Sequence, residues 1–250
     1  MNISIITVVR NNKETIKDAI ESVLNQNYKN IEYIIIDAVS TDGTVEIVKN
    51  YGNKISKFVS EPDKGLYDAM NKGIKLATGD IVGILNSDDL YIDNTVISKV
   101  VNAFEEQKVD AIFADLIFVH PNNLNKTVRH YSSEKFHPSK FAYGWMPAHP
   151  TFFVKKGCYE KYGLYKTDYK IAADYELLTR FLHRYKISYY YLPEILIKMR
   201  TGGISTQNLK SNWILNKEII RACAENDIKT NMLKISLKYF QKVFELIGNK

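Results

Sequence analysis

The first 118 residues alternate two hydrophobic periodicities, and that alternation restricts the chain more than any other feature. Ile3–Val9 and Ile31–Ile36 are unbroken apolar runs, the pattern of strands buried on both faces, and Lys57–Ser60 and Ile81–Leu85 read as two further strands. Between the runs, Ile16, Ala19, Ile20, Val23 and Leu24 recur at helical spacing, and so do Leu66, Ala69, Met70, Gly73, Ile74 and Ala77. Helices are also expected from the Ser40–Thr44 caps to about Asn50 and over Thr95–Glu106, with a strand over Ala111–Phe118. Strand and helix in alternation imply a doubly wound α/β sheet, whose ligands bind beyond the carboxyl ends of the strands. Polar clusters fall there: Arg10-Asn11-Asn12, Asp37, Glu61-Pro62-Asp63 and Asn86-Ser87-Asp88-Asp89.

With 250 residues, 45% hydrophobic and 25% charged, the chain is one large domain or a domain with an appendage. These values exclude wholesale disorder, a collagen-like repeat and a disulfide scaffold. Cys158 and Cys223 have no metal or redox spacing and read as reduced structural thiols. The net charge of +6 is compatible with polyanions, anionic lipid or a nucleotide. The amino terminus has no basic segment before its short apolar run and no stretch reaches a membrane span, so a cytoplasmic location is expected.

Beyond residue 118 the pattern loosens. Asn122–Phe141 reads as an insertion or irregular sheet extension, and Thr151–Val154 as a short strand. A helix is expected over Asp174–His183, strands over Ser188–Leu192 and Ile195–Met199 around Pro193, and two helices after Asn208 broken near Glu225-Asn226-Asp227.

The adjacent carboxylates Asp88 and Asp89 suit a hard divalent cation that completes its shell with phosphate oxygens; the other reading is a polar turn capping the next helix. No Gly-x-Gly-x-x-Gly and no Gly-x-x-x-x-Gly-Lys-Ser/Thr occurs, which argues against a dinucleotide fold of the usual kind and a P-loop.

Several blocks stand in register: Ile3–Val9, Thr15-Ile16 through Gln26, Ile36-Asp37 with Ser40–Thr44, Ser60–Gly73, Ala77-Thr78-Gly79-Asp80 and Leu85–Asp89. Together with His149–Phe153, Ala172–Leu178 and Met199–Ser205 they resemble family 2 glycosyltransferases, to about residue 206. The resemblance implies a GT-A fold, a Rossmann-like, mostly parallel central sheet flanked by helices, with a C-terminal helical appendage. It divides the chain into a catalytic domain, 1–206, and an appendage, 207–250. Residues 1–118 form the nucleotide-sugar-binding half of the domain and 119–206 the acceptor and catalytic half.

The implied activity is transfer of a sugar from a nucleotide diphosphate donor, commonly a UDP-hexose or UDP-N-acetylhexosamine, with inversion to a β-linkage. The acceptor would be a hydroxyl of a glycan or lipid-linked glycan in surface polysaccharide synthesis. Residue by residue, Thr7, Val8, Val9 and Arg10 match the wrap around base and ribose, and Asp37 the contact to uracil, an N-cap for the next helix being the other reading of Asp37. The helix bearing Asp68 and Lys72 approaches the nucleotide, although an i, i+4 surface pair, worth a few tenths of a kcal/mol, is the plain alternative.

Asn86, Ser87, Asp88 and Asp89 match the motif for Mn2+ or Mg2+, with Asp88 the chief ligand and Asp89 the second; Asn86 stands where many relatives carry Asp. Asp174 matches the catalytic base, a helix cap being the other reading, and Ala173 stands where many relatives carry Glu. Arg200, before Thr201-Gly202-Gly203, resembles a mobile loop that closes a cation over the diphosphate. His149 either touches diphosphate or acceptor or packs on Trp145. Trp145 is either a sugar platform or a core residue. Glu176 is grouped with them for the acceptor or diphosphate, although at about 100° per residue it turns some 200° away from Asp174.

In the tail, Met232, Leu233, Ile235, Leu237, Phe240, Val243, Phe244 and Ile247 interleave with Lys229, Lys234, Lys238, Lys242 and Lys250. That basic amphipathic helix suits the inner face of a membrane, its own domain or the second subunit of a homodimer. The competing function classes are a silent sugar-nucleotide-binding or scaffold subunit, against which Asp88, Asp89 and Asp174 speak, and a nucleic-acid binder, for which no basic-aromatic module is present.

Overall fold

Residues 1–202 and 209–237 are described by a computed structural model. The strands are β1 (Ile3–Val9), β2 (Ile31–Asp37), β3 (Lys57–Ser60), β4 (Ile81–Ile84), β5 (Leu90–Tyr91), β6 (Ala111–His120), β7 (Asn123–Tyr131), β8 (Phe153–Lys155) and β9 (Tyr189–Arg200). The helices are α1 (Ile16–Leu24), α2 (Thr44–Lys49), α3 (Leu66–Leu76), α4 (Val96–Gln107), α5 (Lys156–Tyr162), α6 (Ala173–Thr179) and α7 (Leu209–Glu225).

Among the described residues the strands form one sheet in the order β3-β2-β1-β4-β8-β6-β9-β5, with β7 also paired to β6. The first four strands are parallel, as their continuous apolar runs require. The rest of the sheet is mixed: β8 runs antiparallel to β4 and β6, β9 parallel to β6, and β7 and β5 antiparallel to their neighbours. The expectation of a mostly parallel sheet therefore holds for the first half.

Alternate residues of β1 serve two cores. Ile3, Ile5 and Val9 pack with α1 and α4 on one face. Ile6 and Val8 pack with α3, α6 and α7 on the other. Gly73 lets α3 lie flush on β1, because a Cβ there would come within 2.4 Å of the Ile6 side chain.

The loosely patterned Asn122–Phe141 stretch contains β7 and leads into a 3-10 helix over Pro138–Tyr143. The two strands expected around Pro193 are one strand. Phe113 pairs with Tyr191 and Asp115 with Ile195, so Leu192, Pro193 and Glu194 stand opposite Ala114 alone. Pro193, which has no N–H to give, thus sits in a bulge. The helix expected over Asp174–His183 is α-helical only through Thr179 and continues as a π-helical turn, Arg180–Arg184.

The described residues 209–237 are integrated with the preceding fold. Ile219, Ala222 and Cys223 of α7 join the core around Phe141 and Tyr175. Residues 232–237 form a further helical turn, in which Ile235 is buried while Leu233 is 76% exposed. The tail expectations for Lys238, Phe240, Lys242, Val243, Phe244, Ile247 and Lys250, and the Gly203–Ser205 end of the glycine motif, lie outside the described residues. Both cysteines are buried and free.

A candidate active site along the strand ends

The parallel strands deliver their carboxyl ends to one edge, and the loops there are cross-bonded. Asp37 closes β2, is fully buried and accepts from the Ser60 hydroxyl at 2.6 Å and from the Ser40 N–H at 3.1 Å. After β1, the Asn11 N–H donates to Ser40 Oγ (2.7 Å) and the Asn12 amide to Ser87 Oγ (2.8 Å). Thr15 Oγ1 donates to the Ser87 carbonyl at 2.9 Å. Thr7 is buried and bonded to the Tyr33 hydroxyl at 3.0 Å, Val8 and Val9 are core, and Arg10 is exposed. Val39, two residues past Asp37, takes φ 54°, a left-handed conformation that costs a β-branched residue about 1–2 kcal/mol.

At the start of α3, Asp68 accepts from the Lys64 N–H at 3.0 Å. Lys72 pairs with Glu61 at 2.9 Å, donates to the Pro62 carbonyl at 2.6 Å and lies 3.9 Å from Asp68. The i, i+4 contact is thus the longer of the lysine's two ion pairs.

In the Asn86–Asp89 turn the two carboxylates differ. Asp88 is half-buried, and among the described residues its carboxylate has no hydrogen-bond partner. Asp89 is fully buried; its Oδ2 accepts from the Asn86 amide at 3.1 Å and its Oδ1 has no partner. Burial and the neighbouring Asp88 hold the Asp89 carboxyl well above the usual range, against smaller opposing effects from Asn86 and Arg200. An oxygen closed to solvent does not reach a hydrated cation, which corrects the ligand expectation for Asp89 in this conformation. No cluster of three or more His, Cys, Asp or Glu side chains able to cage a metal occurs among the described residues. The donor set fits a Mg2+-like ion that takes one carboxylate, Asp88, and fills its shell with diphosphate oxygens and water.

Arg200 departs from the expected lid. It ends β9, is buried, donates to the Asp88 carbonyl at 2.6 Å and pairs with Asp18 of α1. Its guanidinium thus braces the Asp88 turn from within the fold.

Asp174 lies in the first turn of α6, 16% exposed, its Oδ1 accepting from the Tyr175 N–H at 2.8 Å. His149 Nδ1 stands 3.2 Å from Asp174 Oδ2, and this histidine is 34% exposed. The loop before α6 is held from α7: the Glu218 carboxylate accepts from the N–H groups of Lys170 (2.7 Å), Ile171 (2.9 Å) and Ala172 (2.9 Å). The Tyr67 hydroxyl, adjacent to Asp68, donates to the Ile171 carbonyl at 2.5 Å. This bond joins the Asp174 loop to the start of α3 and so to the edge formed by the first half of the chain.

Glu176 belongs to another environment, which corrects its grouping with acceptor or diphosphate residues. It is fully buried, chelated by Arg180 through bonds of 3.0, 3.2 and 3.0 Å, and 3.1 Å from Lys166. Trp145 is half-buried among Tyr131 and Phe136, with Lys140 Nζ 4.6 Å above its ring. The partner found for His149 is Asp174 rather than Trp145. Sequence spacing had no signal for that pair, 25 residues apart, or for Glu218.

The family model described as Glycosyl transferase family 2 matches residues 4–162. The chain belongs to this family. It is therefore a glycosyltransferase, and 32% identity over 230 residues relates it to an uncharacterized glycosyltransferase of Rickettsia typhi, spanning 87% of this chain and 70% of that protein. A PGL/p-HBAD biosynthesis glycosyltransferase of Mycobacterium bovis is 25% identical over 232 residues, 87% of this chain and 82% of that one.

Among solved structures, Staphylococcus aureus TarS 1–349 in complex with UDP-GlcNAc superposes with a TM-score of 0.71 at 17% identity, covering 92% of this glycosyltransferase and 68% of that chain. The chain spans 41% of the longer TarS structure. The mannosyltransferase PcManGT of Pyrobaculum calidifontis, in complex with GDP-Man and Mn2+, superposes with a TM-score of 0.63 at 17% identity, covering 98% and 80%. The fold is that of GT-A glycosyltransferases.

Proposed function

We propose that this glycosyltransferase transfers a sugar with inversion from a nucleotide diphosphate donor, a UDP-hexose or UDP-N-acetylhexosamine, to a hydroxyl of a glycan or lipid-linked glycan. The observation that carries this reading is the Tyr67–Ile171 bond, which joins the loop of the base candidate to the edge where Asp37, Asp68 and Asp88 lie. An inverting displacement needs a carboxylate opposite the leaving group to accept the proton of the acceptor hydroxyl. Asp174 is that carboxylate: it is partly exposed, it begins a helix, and each of its oxygens keeps a free lone pair. The rim where β1 and β2 end, with Arg10 exposed on it, takes the base and ribose, while the buried Thr7, Val8, Val9 and Asp37 hold that rim in place. Asp88 would hold Mn2+ or Mg2+, which would supply Lewis-acid stabilisation of the departing diphosphate.

Replacing Asp174 by Asn should preserve donor binding and lower transfer by roughly 10²–10⁴-fold, the usual contribution of a general base. Transfer at near wild-type rate would remove Asp174 from that role. A panel of UDP- and GDP-sugars scored by thermal stabilisation with and without Mn2+ identifies the donor, because a bound ligand raises the melting temperature by mass action.

A lipid-linked acceptor brings the protein to a membrane surface. No helix among the described residues is long and apolar enough to cross one. The exposed Met232, Leu233 and Leu237 beside Lys234 support peripheral contact. Full-length protein should sediment with anionic vesicles and release at high salt; failure to sediment in low salt would end the membrane reading.

A further inference from the structure

We propose that His149 is the positioning residue for the catalytic base: its Nδ1–H donates to Asp174 Oδ2 and fixes the plane of the carboxylate. The proposal rests on the reading of Asp174 as the base. The terminal torsion of an aspartate is broad, so an unrestrained carboxylate rocks about it. A base acts only within hydrogen-bond reach of its proton, and a displacement of about 1 Å costs on the order of 10²-fold in rate. Here one oxygen is hydrogen-bonded and the other has a donor within reach, in the kind of contact that aligns and tightens when substrate binds. Oδ1 accepts from the Tyr175 N–H at 2.8 Å and Oδ2 faces His149 Nδ1 at 3.2 Å.

The two supports come from elements that are themselves anchored. His149 opens a 3-10 turn, His149–Thr151, in which Pro150 fixes one φ and Thr151 is fully buried. Thr151 Oγ1 accepts from the Ala114 N–H at 3.0 Å and lies 2.8 Å from the Ala114 carbonyl, locking the turn to β6. The Ala148 N–H, just before the histidine, donates to Ser133 Oγ at 3.0 Å. On the other side Glu218 holds the backbone of 170–172. An incidental surface pair between flexible side chains has no such framework. For Nδ1 to donate, the neutral ring carries its proton on Nδ1, so the pair dictates a tautomer as well as a distance.

The test has a spectroscopic and a kinetic arm, both on the full chain. Nitrogen-15 spectra of the neutral His149 imidazole should show the proton on Nδ1, and Asp174→Ala should abolish that preference. A wild-type ring protonated on Nε2 overturns the proposal. For kinetics the donor is the sugar nucleotide giving the largest thermal shift in the panel above. Asn places an N–H near the position of Nδ1, whereas Gln and Ala do not. His149→Ala and His149→Gln should lower kcat 10- to 100-fold with donor KM within about threefold of wild type, and His149→Asn should retain most of kcat.

A kcat for His149→Ala within twofold of wild type overturns the proposal, and so does a His149→Asn variant as impaired as His149→Ala. If His149→Ala melts early, the Asn and Gln variants decide the matter alone. In an Asp174→Asn background the histidine change should add nothing. A fully active Asp174→Asn enzyme sinks the base assignment, whereas an inactive Asp174→Asn with a normal His149→Ala sinks only the positioning role.

Discussion

Asp174 and Glu176 stand two residues apart on one helix and meet opposite surroundings. At about 100° per residue they point some 200° apart, so one faces the loop edge and the other the core. Glu176 is sealed against Arg180, with Lys166 beside it. Removing one partner of a buried ion pair leaves a charge without compensation and costs about 3–5 kcal/mol. Glu176→Ala should therefore lower the unfolding free energy from urea titration by that amount while leaving donor affinity unchanged; a stable variant with weakened donor binding would return Glu176 to the site.

Asp88 is the reverse case, half-exposed and without a hydrogen-bond partner among the described residues. Asp88→Ala should erase the Mn2+-dependent part of donor affinity, measured by calorimetry with and without the ion, at little cost in melting temperature. These distinctions were partly legible in the sequence. Helical geometry separates Asp174 from Glu176, but adjacency in Asp88-Asp89 conceals that one carboxylate is buried and the other not.

At the scale of elements, α7 supports the loop that leads to Asp174. Glu218 satisfies three N–H groups before α6, a task that capping residues within the loop would ordinarily share. Glu218→Ala should release that loop. The expected signature is faster amide exchange at Lys170–Ala172 and a lower kcat, with donor affinity retained; unaltered exchange there would dismiss the support. No sequence rule pairs Glu218 with residues some 47 positions earlier, because the pairing exists only once α7 has packed on α6. The same limit explains β9. Pro193 reads locally as a break between strands, but the partner β6 absorbs it in a bulge, and the strand continues to Arg200.

For the whole molecule, legibility follows contact range. In the parallel half β1–β2 and β2–β3 are neighbours in both chain and sheet, and one crossover returns β4 to pair with β1, so apolar runs and caps go far to place them. The other half inserts β8 between β4 and β6 and sends β5 to the far edge, pairings that only tertiary packing decides.

One ion cluster crosses the first half and makes it acid-sensitive. Partial burial pushes the Glu32 carboxyl up, but bonds from Lys57, Ser4 and Thr78 outweigh it and bring the pKa down to about 2. A carboxylate depressed in the fold contributes stability above its unfolded value, near 4.5, and loses it as pH falls toward 2. The melting temperature of wild type should fall over that interval more steeply than that of Glu32→Gln; parallel curves would place the acid sensitivity elsewhere.

The grip of Glu218 on the base loop also bears on how this enzyme can be shortened. A cut at residue 206, where the family resemblance fades, would preserve every strand among the described residues and every proposed site carboxylate, yet strip the acceptor from three amides beside Asp174 and uncover the core around Phe141 and Tyr175. A shortened chain should therefore be cut beyond α7, and engineering that swaps C-terminal segments between relatives should carry this helix with the rest of the fold.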